Sequence, residues 1–222
     1  MIFDEMSIFP LLYLIFRLGP ILIILFFVLQ SFILWNMKGI VILFGLFFTF
    51  IIMYILNAVC KNFNIFEYKH NAIINPKCAL INIGLNGNYY SIFPFSITIY
   101  SFIFGYLVFS LIYNNGGLVD ATKLNALSII YTPMFIIFPL FIVAEIIWIF
   151  YYSCYQFENE NDSTKILTGL IFITLVISFF LGWIWSLIID NTKITELKYI
   201  SANDDNSVCS RPTKSYFRCR VV

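Results

Sequence analysis

Residues Phe93 to Leu107 read FPFSITIYSFIFGYL. Pro94 sets the start of a segment that then stays apolar or weakly polar as far as Tyr113. Proline suits the entry of a helix, because its missing N–H and fixed φ cost nothing there. Twenty such residues in a helix reach about 30 Å, the thickness of the hydrocarbon core of a bilayer. The stretch is therefore expected to be a membrane span, and the rest of the chain can be read outward from it.

Composition agrees with that reading. The chain has 222 residues, of which 61% are hydrophobic and 11% charged, and its mean hydropathy is +0.90. Soluble domains carry roughly 45–50% apolar and about 25% charged residues, so this much apolar surface needs lipid to cover it. The net charge is +1, which offers no electrostatic footprint for nucleic acid. The first ten residues, MIFDEMSIFP, contain two acids and no base. A cleaved signal peptide needs a basic start and a small-residue cleavage site, so the first helix is expected to be retained.

On either side of Phe93–Leu107 the same pattern recurs. Ile8 to Trp35 is apolar apart from Arg17 and the pair Gly19-Pro20. A span at about 18–35 with residues 9–16 as an interfacial lead-in is one reading, and a single kinked helix is the other. Residues 39–59 form the second span, closing a helical hairpin over Asn36–Lys38. A polar loop at 60–90 follows, rich in Asn and turn residues. The third span is 94–113, ended by Asn114-Asn115-Gly116-Gly117, which accepts left-handed caps. The fourth, 127–152, contains Pro133 and Pro139, and Trp148, Tyr151 and Tyr152 suit an interfacial belt. The fifth is 164–189, capped by Ser163 or Asp162, with Gly169 and Gly182 marking points where another helix can approach. The expected fold is an all-α, polytopic bundle of about five transmembrane helices, residues 1–189, followed by an extramembrane tail, 190–222. Five spans put the two termini on opposite sides, and the balanced Lys and Arg near the spans leave the orientation open.

The order of parts resembles the type 2 phosphatidic-acid-phosphatase superfamily. That resemblance implies a phosphate-holding Lys and two Arg, a histidine nucleophile with its Asp, and a second histidine as general acid. The residues at the matching places differ. Lys69 is followed by Asn75-Pro76 where Arg-Pro is expected, one residue short. Pro94-Phe95-Ser96-Ile97 lacks the Gly and His of the second motif. Ile166-Leu167-Thr168-Gly169 is preceded by Lys165 rather than Asp, and Asn161 stands at the nucleophile's place. His70 is the only histidine, and a two-histidine mechanism cannot run on one. No catalytic, cofactor-binding or metal-binding residue is assigned; the Cys and His spacings match no zinc pattern.

The closing stretch, NSVCSRPTKSYFRCRVV, resembles the C-terminus of a family of multi-span membrane proteins of nucleocytoplasmic large DNA viruses. The residues that carry it are Val208, Cys209, Ser210 and Pro212, then Phe217 and Cys219, with Pro94 and Ser96 at the third span. The resemblance implies a non-enzymatic structural protein of the virion's inner membrane, partnered by the lipid bilayer and by capsid or other virion membrane proteins, and binding no nucleic acid. Arg211, Lys214, Tyr216, Phe217 and Arg218 are the candidate partner contacts. Two alternatives stand beside it: a membrane lipid phosphatase, and an accessory subunit of a mitochondrial complex from an AT-rich protist.

Read by itself, the tail alternates over Ser207–Cys209 and Tyr216–Val221, with a turn-like Arg211–Lys214 between. Cys209 and Cys219 then either bridge across a small β-hairpin, or remain free thiols in a disordered tail. Cys60 and Cys78 are a second candidate disulfide. Glu145, in FIVAEIIW, is an intramembrane acid; placing one there costs roughly 2.5–3.5 kcal/mol on insertion scales. It is expected to face other helices, with Asn57, Thr98, Tyr100 and Ser101 as candidate partners. It serves either an interhelical hydrogen bond that fixes packing or a proton relay.

Overall fold

The computed structural model describes residues 8–33, 37–63, 93–114, 117–118, 121–152, 154, 163–192, 194, 207–210 and 218–221. Five helices follow in order: α1 (Ile8–Ile33), α2 (Met37–Asn62), α3 (Phe95–Ile112), α4 (Ala121–Tyr151) and α5 (Ser163–Asn191). Two short antiparallel ladders accompany them. One joins β1 (Tyr113–Asn114) to β2 (Gly117–Leu118) just after α3, and the other joins β3 (Ser207–Ser210) to β4 (Arg218–Val221) in the tail. Among the described residues, α2 to α5 each hold a stretch long and apolar enough to cross a membrane, and Leu18–Ile33 of α1 is a shorter apolar helix.

Helix boundaries depart from the sequence reading in instructive ways. α1 is one helix that begins at Ile8 and passes through Pro20, so the lead-in and the first span are continuous. Pro133 and Pro139 likewise lie inside an unbroken α4. Proline in a membrane helix removes one backbone bond, and neighbouring helices make that tolerable. α4 also starts six residues before the expected 127, at Ala121. α5 runs on to Asn191, which makes Asp190 a buried residue of its last turn rather than the first residue of the tail.

α3 is the axis of the bundle. In its span 72% of residues are buried, against 22–33% in the spans of α2, α4 and α5. Its aromatic side chains reach each neighbour in turn. Phe95 stacks on Phe50 of α2 at 4.6 Å, Tyr100 on Phe141 of α4 at 5.3 Å, and Phe104 meets Phe179 of α5 at 6.0 Å. The outer faces of the other helices carry exposed Phe32, Phe44, Ile136, Leu140, Phe172 and Phe180. An apolar exterior of this extent is what lipid requires.

The closest packing is between α3 and α5. Ser101 Oγ donates to the Leu175 carbonyl at 2.7 Å, and Ser110 Oγ and Ser186 Oγ share a hydrogen bond of 2.7 Å. Partners rise together along both helices, so α3 and α5 run parallel. Between these bonds a Cβ on Gly105 would meet the backbone of Phe179, and one on Gly182 would meet the backbone of Phe102 and Tyr106. Lacking a hydrophobic force between helices in lipid, such pairs are held by close backbone approach and interhelical hydrogen bonds. Trp185 of α5 adds a tie to α2 by donating from Nε1 to the Val41 carbonyl at 2.9 Å, its indole lying over Gly45. Gly169, expected as a second approach point, faces open space.

Four other buried hydroxyls turn back on their own helices, while Ser178, facing the α3–α5 contact, makes no hydrogen bond among the described residues. Ser31, Thr49, Thr98 and Thr174 each donate to the carbonyl four residues earlier. This bond satisfies a hydroxyl where no water is present.

The glycines give a stability prediction of opposite signs. Gly105→Ala and Gly182→Ala are expected to lower the unfolding midpoint in detergent, by the equivalent of about 1–3 kcal/mol or more, because backbone cannot move aside. Gly169→Ala is expected to raise it by up to about 1 kcal/mol through helix propensity alone. Thermal unfolding of the three purified variants, followed by size-exclusion monodispersity, checks both signs.

Candidate functional site

Two places gather chemistry-bearing residues, and both lie toward one end of the bundle. This end is defined by a cluster of Met53 from α2, Phe93 and Ile97 at the start of α3, Ile149 and Cys154 at the end of α4, and Leu170 from α5. The N-terminus of α3 begins here after Pro94, whose carbonyl accepts both the Thr98 N–H and its hydroxyl.

The first place surrounds Glu145, which is only 4% exposed. It lies six residues before the end of α4, about 9 Å along the axis. Tyr100 of α3 is within its electrostatic reach, and the Tyr100 ring stacks on Phe141, one turn before the acid on α4. The Tyr100 side chain is fully buried, and its hydroxyl has no hydrogen-bond partner among the described residues. Gly19 of α1 leaves room for that hydroxyl, since a Cβ there would strike it. Thus α1, α3 and α4 meet at one polar spot inside the apolar layer.

Of the four expected partners of Glu145, the structure brings Tyr100 close and commits two elsewhere. Thr98 donates to Pro94, and Ser101 donates to Leu175. Asn57 is half-buried on α2. A buried acid beside a phenol could hold a proton or anchor a helix contact. The geometry suits the second, because the acid, the phenol and Gly19 bring three helices to one point.

The second place is the cysteine end. The candidate disulfide between Cys60 and Cys78 does not form in the structure, where Cys60 carries a free thiol. It lies in the last turns of α2, half-buried against the apolar cluster that holds Met53 and Leu170. Cys154 is instead the bonded cysteine. It is buried just past α4, and its N–H donates to the Ile149 carbonyl at 3.1 Å. Cys78 lies outside the described residues, as do Lys69, His70 and Asn161.

In the tail, the β3–β4 register sets Cys209 opposite Cys219, Val208 opposite Arg220 and Ser210 opposite Arg218. Arg211, Lys214, Tyr216 and Phe217 lie outside the described residues. Among the described residues no group of three or more His, Cys, Asp or Glu could hold a metal ion.

Sequence reasoning missed two features. The α3–α5 contact was legible in part, since Thr174, Ser178, Gly182 and Ser186 recur every four residues and so share one helix face. The burial of Asp190 had no such signal.

No family model, no curated protein and no solved structure matches the chain. What the helices define is a class: an integral membrane protein that crosses the bilayer several times.

The site yields a second prediction. Tyr100→Phe is expected to leave the unfolding midpoint unchanged or to raise it by up to about 1 kcal/mol, since it deletes an unsatisfied buried hydroxyl. Glu145→Gln is expected to stay within about 1 kcal/mol of wild type, whereas Glu145→Lys places a cation among apolar side chains and is expected to abolish monodisperse protein. Thermal unfolding in detergent measures the first two, and size-exclusion chromatography the third.

Proposed function

We propose that this protein is a non-enzymatic structural membrane protein of a large DNA virus particle, one that anchors or organises the inner membrane beneath the capsid shell. The observation that carries the reading is the state of Ile97. It stands where the phosphatase resemblance would put a catalytic histidine, and it is fully buried in the apolar cluster at the mouth of the bundle. A nucleophile or acid needs access to substrate; this position instead contributes packing. The α3–α5 contact serves cohesion in the same way, through backbone contact at Gly105 and Gly182 and the hydrogen bonds of Ser101, Ser110 and Ser186.

The tail supplies the part that meets partners. It follows α5, and its strands pair Val208, Cys209 and Ser210 with residues 218–220. Val208, Cys209, Ser210 and Cys219 are among the residues that carry the likeness to the viral family. A tail sequence with Arg211, Lys214, Arg218 and Arg220 suits contact with a protein surface, since Glu196, Asp204 and Asp205 offset part of the basic charge. Nucleic acid would favour an uncompensated basic stripe.

Cross-linking of intact particles through Lys193, Lys198 and Lys214, read by mass spectrometry, is expected to join the tail to capsid or other virion membrane proteins. Cross-links to respiratory subunits alone would sink the proposal. So would release of phosphate from phosphatidic acid by the purified protein if Lys69→Ala or His70→Ala abolished it.

A further inference from the structure

Cys154 is disulfide-bonded within this chain, and we infer that its partner is Cys78. The chain has five cysteines. Cys60 is a free thiol, so three remain as possible partners: Cys78, Cys209 and Cys219.

Position in the bundle separates them. Cys154 shares an apolar cluster with Phe93 and Ile97 at the start of α3, with Met53 of α2, and with Leu167 and Leu170 at the start of α5. The end of α2, the start of α3, the end of α4 and the start of α5 therefore lie at one face. Cys209 and Cys219 come after α5, whose 29 residues carry the chain to the other face. To return, residues 192–208 would have to draw Lys193, Glu196, Lys198, Asp204 and Asp205 back through the apolar layer. Each ionisable residue there carries a penalty of several kcal/mol. The hairpin register also sets Cys209 and Cys219 opposite each other as strand partners.

Cys78 meets the opposite conditions. It lies between the end of α2 and the start of α3, fifteen residues from Phe63 and fifteen from Phe93. Both anchors are at the face that holds Cys154. An extended chain of fifteen residues spans up to about 50 Å, so length places no obstacle to the bond. The bond closes a covalent ring that runs from Cys78 through α3 and α4 to Cys154. It thereby ties the polar 64–92 segment to the end of the bundle nearest Glu145. Formation takes two protons and two electrons from the Cys78 and Cys154 thiols. The oxidant is a protein disulfide of the thiol-oxidase class, which leaves as a dithiol.

The test is a non-reducing peptide map of the full chain, with thiols blocked by an alkylating reagent under denaturing conditions before digestion. The expected result is one linked peptide pair containing Cys78 and Cys154 that separates on reduction, with Cys60 alkylated. A link from Cys154 to Cys209 or Cys219, or an alkylated Cys154, would overturn the inference. As a second arm, Cys154→Ser is expected to raise the free-thiol count of the denatured chain by one, through release of Cys78. It is also expected to lower the unfolding midpoint by roughly 10 °C, as a ring of this length implies. Cys60→Ser is expected to lower the thiol count by one and leave the linked peptide in place. An unchanged count in Cys154→Ser would equally overturn the assignment.

Discussion

The backbone contact between α3 and α5 is the constraint on which the rest of the bundle depends. Gly105 lies against the Phe179 carbonyl, and Gly182 against Phe102 and Tyr106. Inside a bilayer, burying one apolar side chain against another yields little, because lipid is equally apolar. What distinguishes one helix pairing from another is how near the backbones can come and which polar groups they bring together. Here the approach is close enough for Ser101 to reach the Leu175 carbonyl and for Ser110 and Ser186 to meet. With α3 fixed against α5, its aromatic faces point at α2 and α4, and the stacking of Phe95 on Phe50 and of Tyr100 on Phe141 follows.

A consequence is an uneven distribution of polarity. Most intramembrane hydroxyls are used up locally, on the carbonyl one turn back or on the partner helix. Glu145 and Tyr100 stand apart, near the end where Cys154 is bonded and the 64–92 segment enters and leaves. The opposite end holds Asp190 in the last turn of α5 and gives rise to the tail hairpin. The two faces thus differ in kind. One carries the bonded Cys154 and the buried Glu145, and the other leads on to a short two-stranded ladder.

Several features were readable from residues alone. Pro94 marks the start of α3 because proline suits a helix entry, and Asn114 to Gly117 breaks it where the β1–β2 turn forms. Gly182 was recognisable as an approach point by its size. Gly169 has the same size, yet it faces open space, since sequence does not say which side of a helix its neighbour occupies. Pro20 is compatible under local rules with either a boundary or a continuous helix, and the helix continues through it, its missing bond tolerated among packed helices. Residue type alone offers Cys60 and Cys78 as a candidate pair, whereas the helix packing of Cys60 and the bonding of Cys154 depend on where α2 and α4 end together.

The sequence by itself determined that this chain resides in lipid, that it is helical there, and roughly where each span lies. Those properties follow from apolar length and backbone hydrogen bonding, which are additive along the chain. Only the tertiary structure decided that α3 is central, that α3 and α5 run parallel in backbone contact, that Glu145 keeps company with Tyr100, and that Cys60 is free while Cys154 is bonded. Those properties depend on the rotation of each helix about its axis. Rotation is set by the mutual fit of neighbours, and no single helix encodes it.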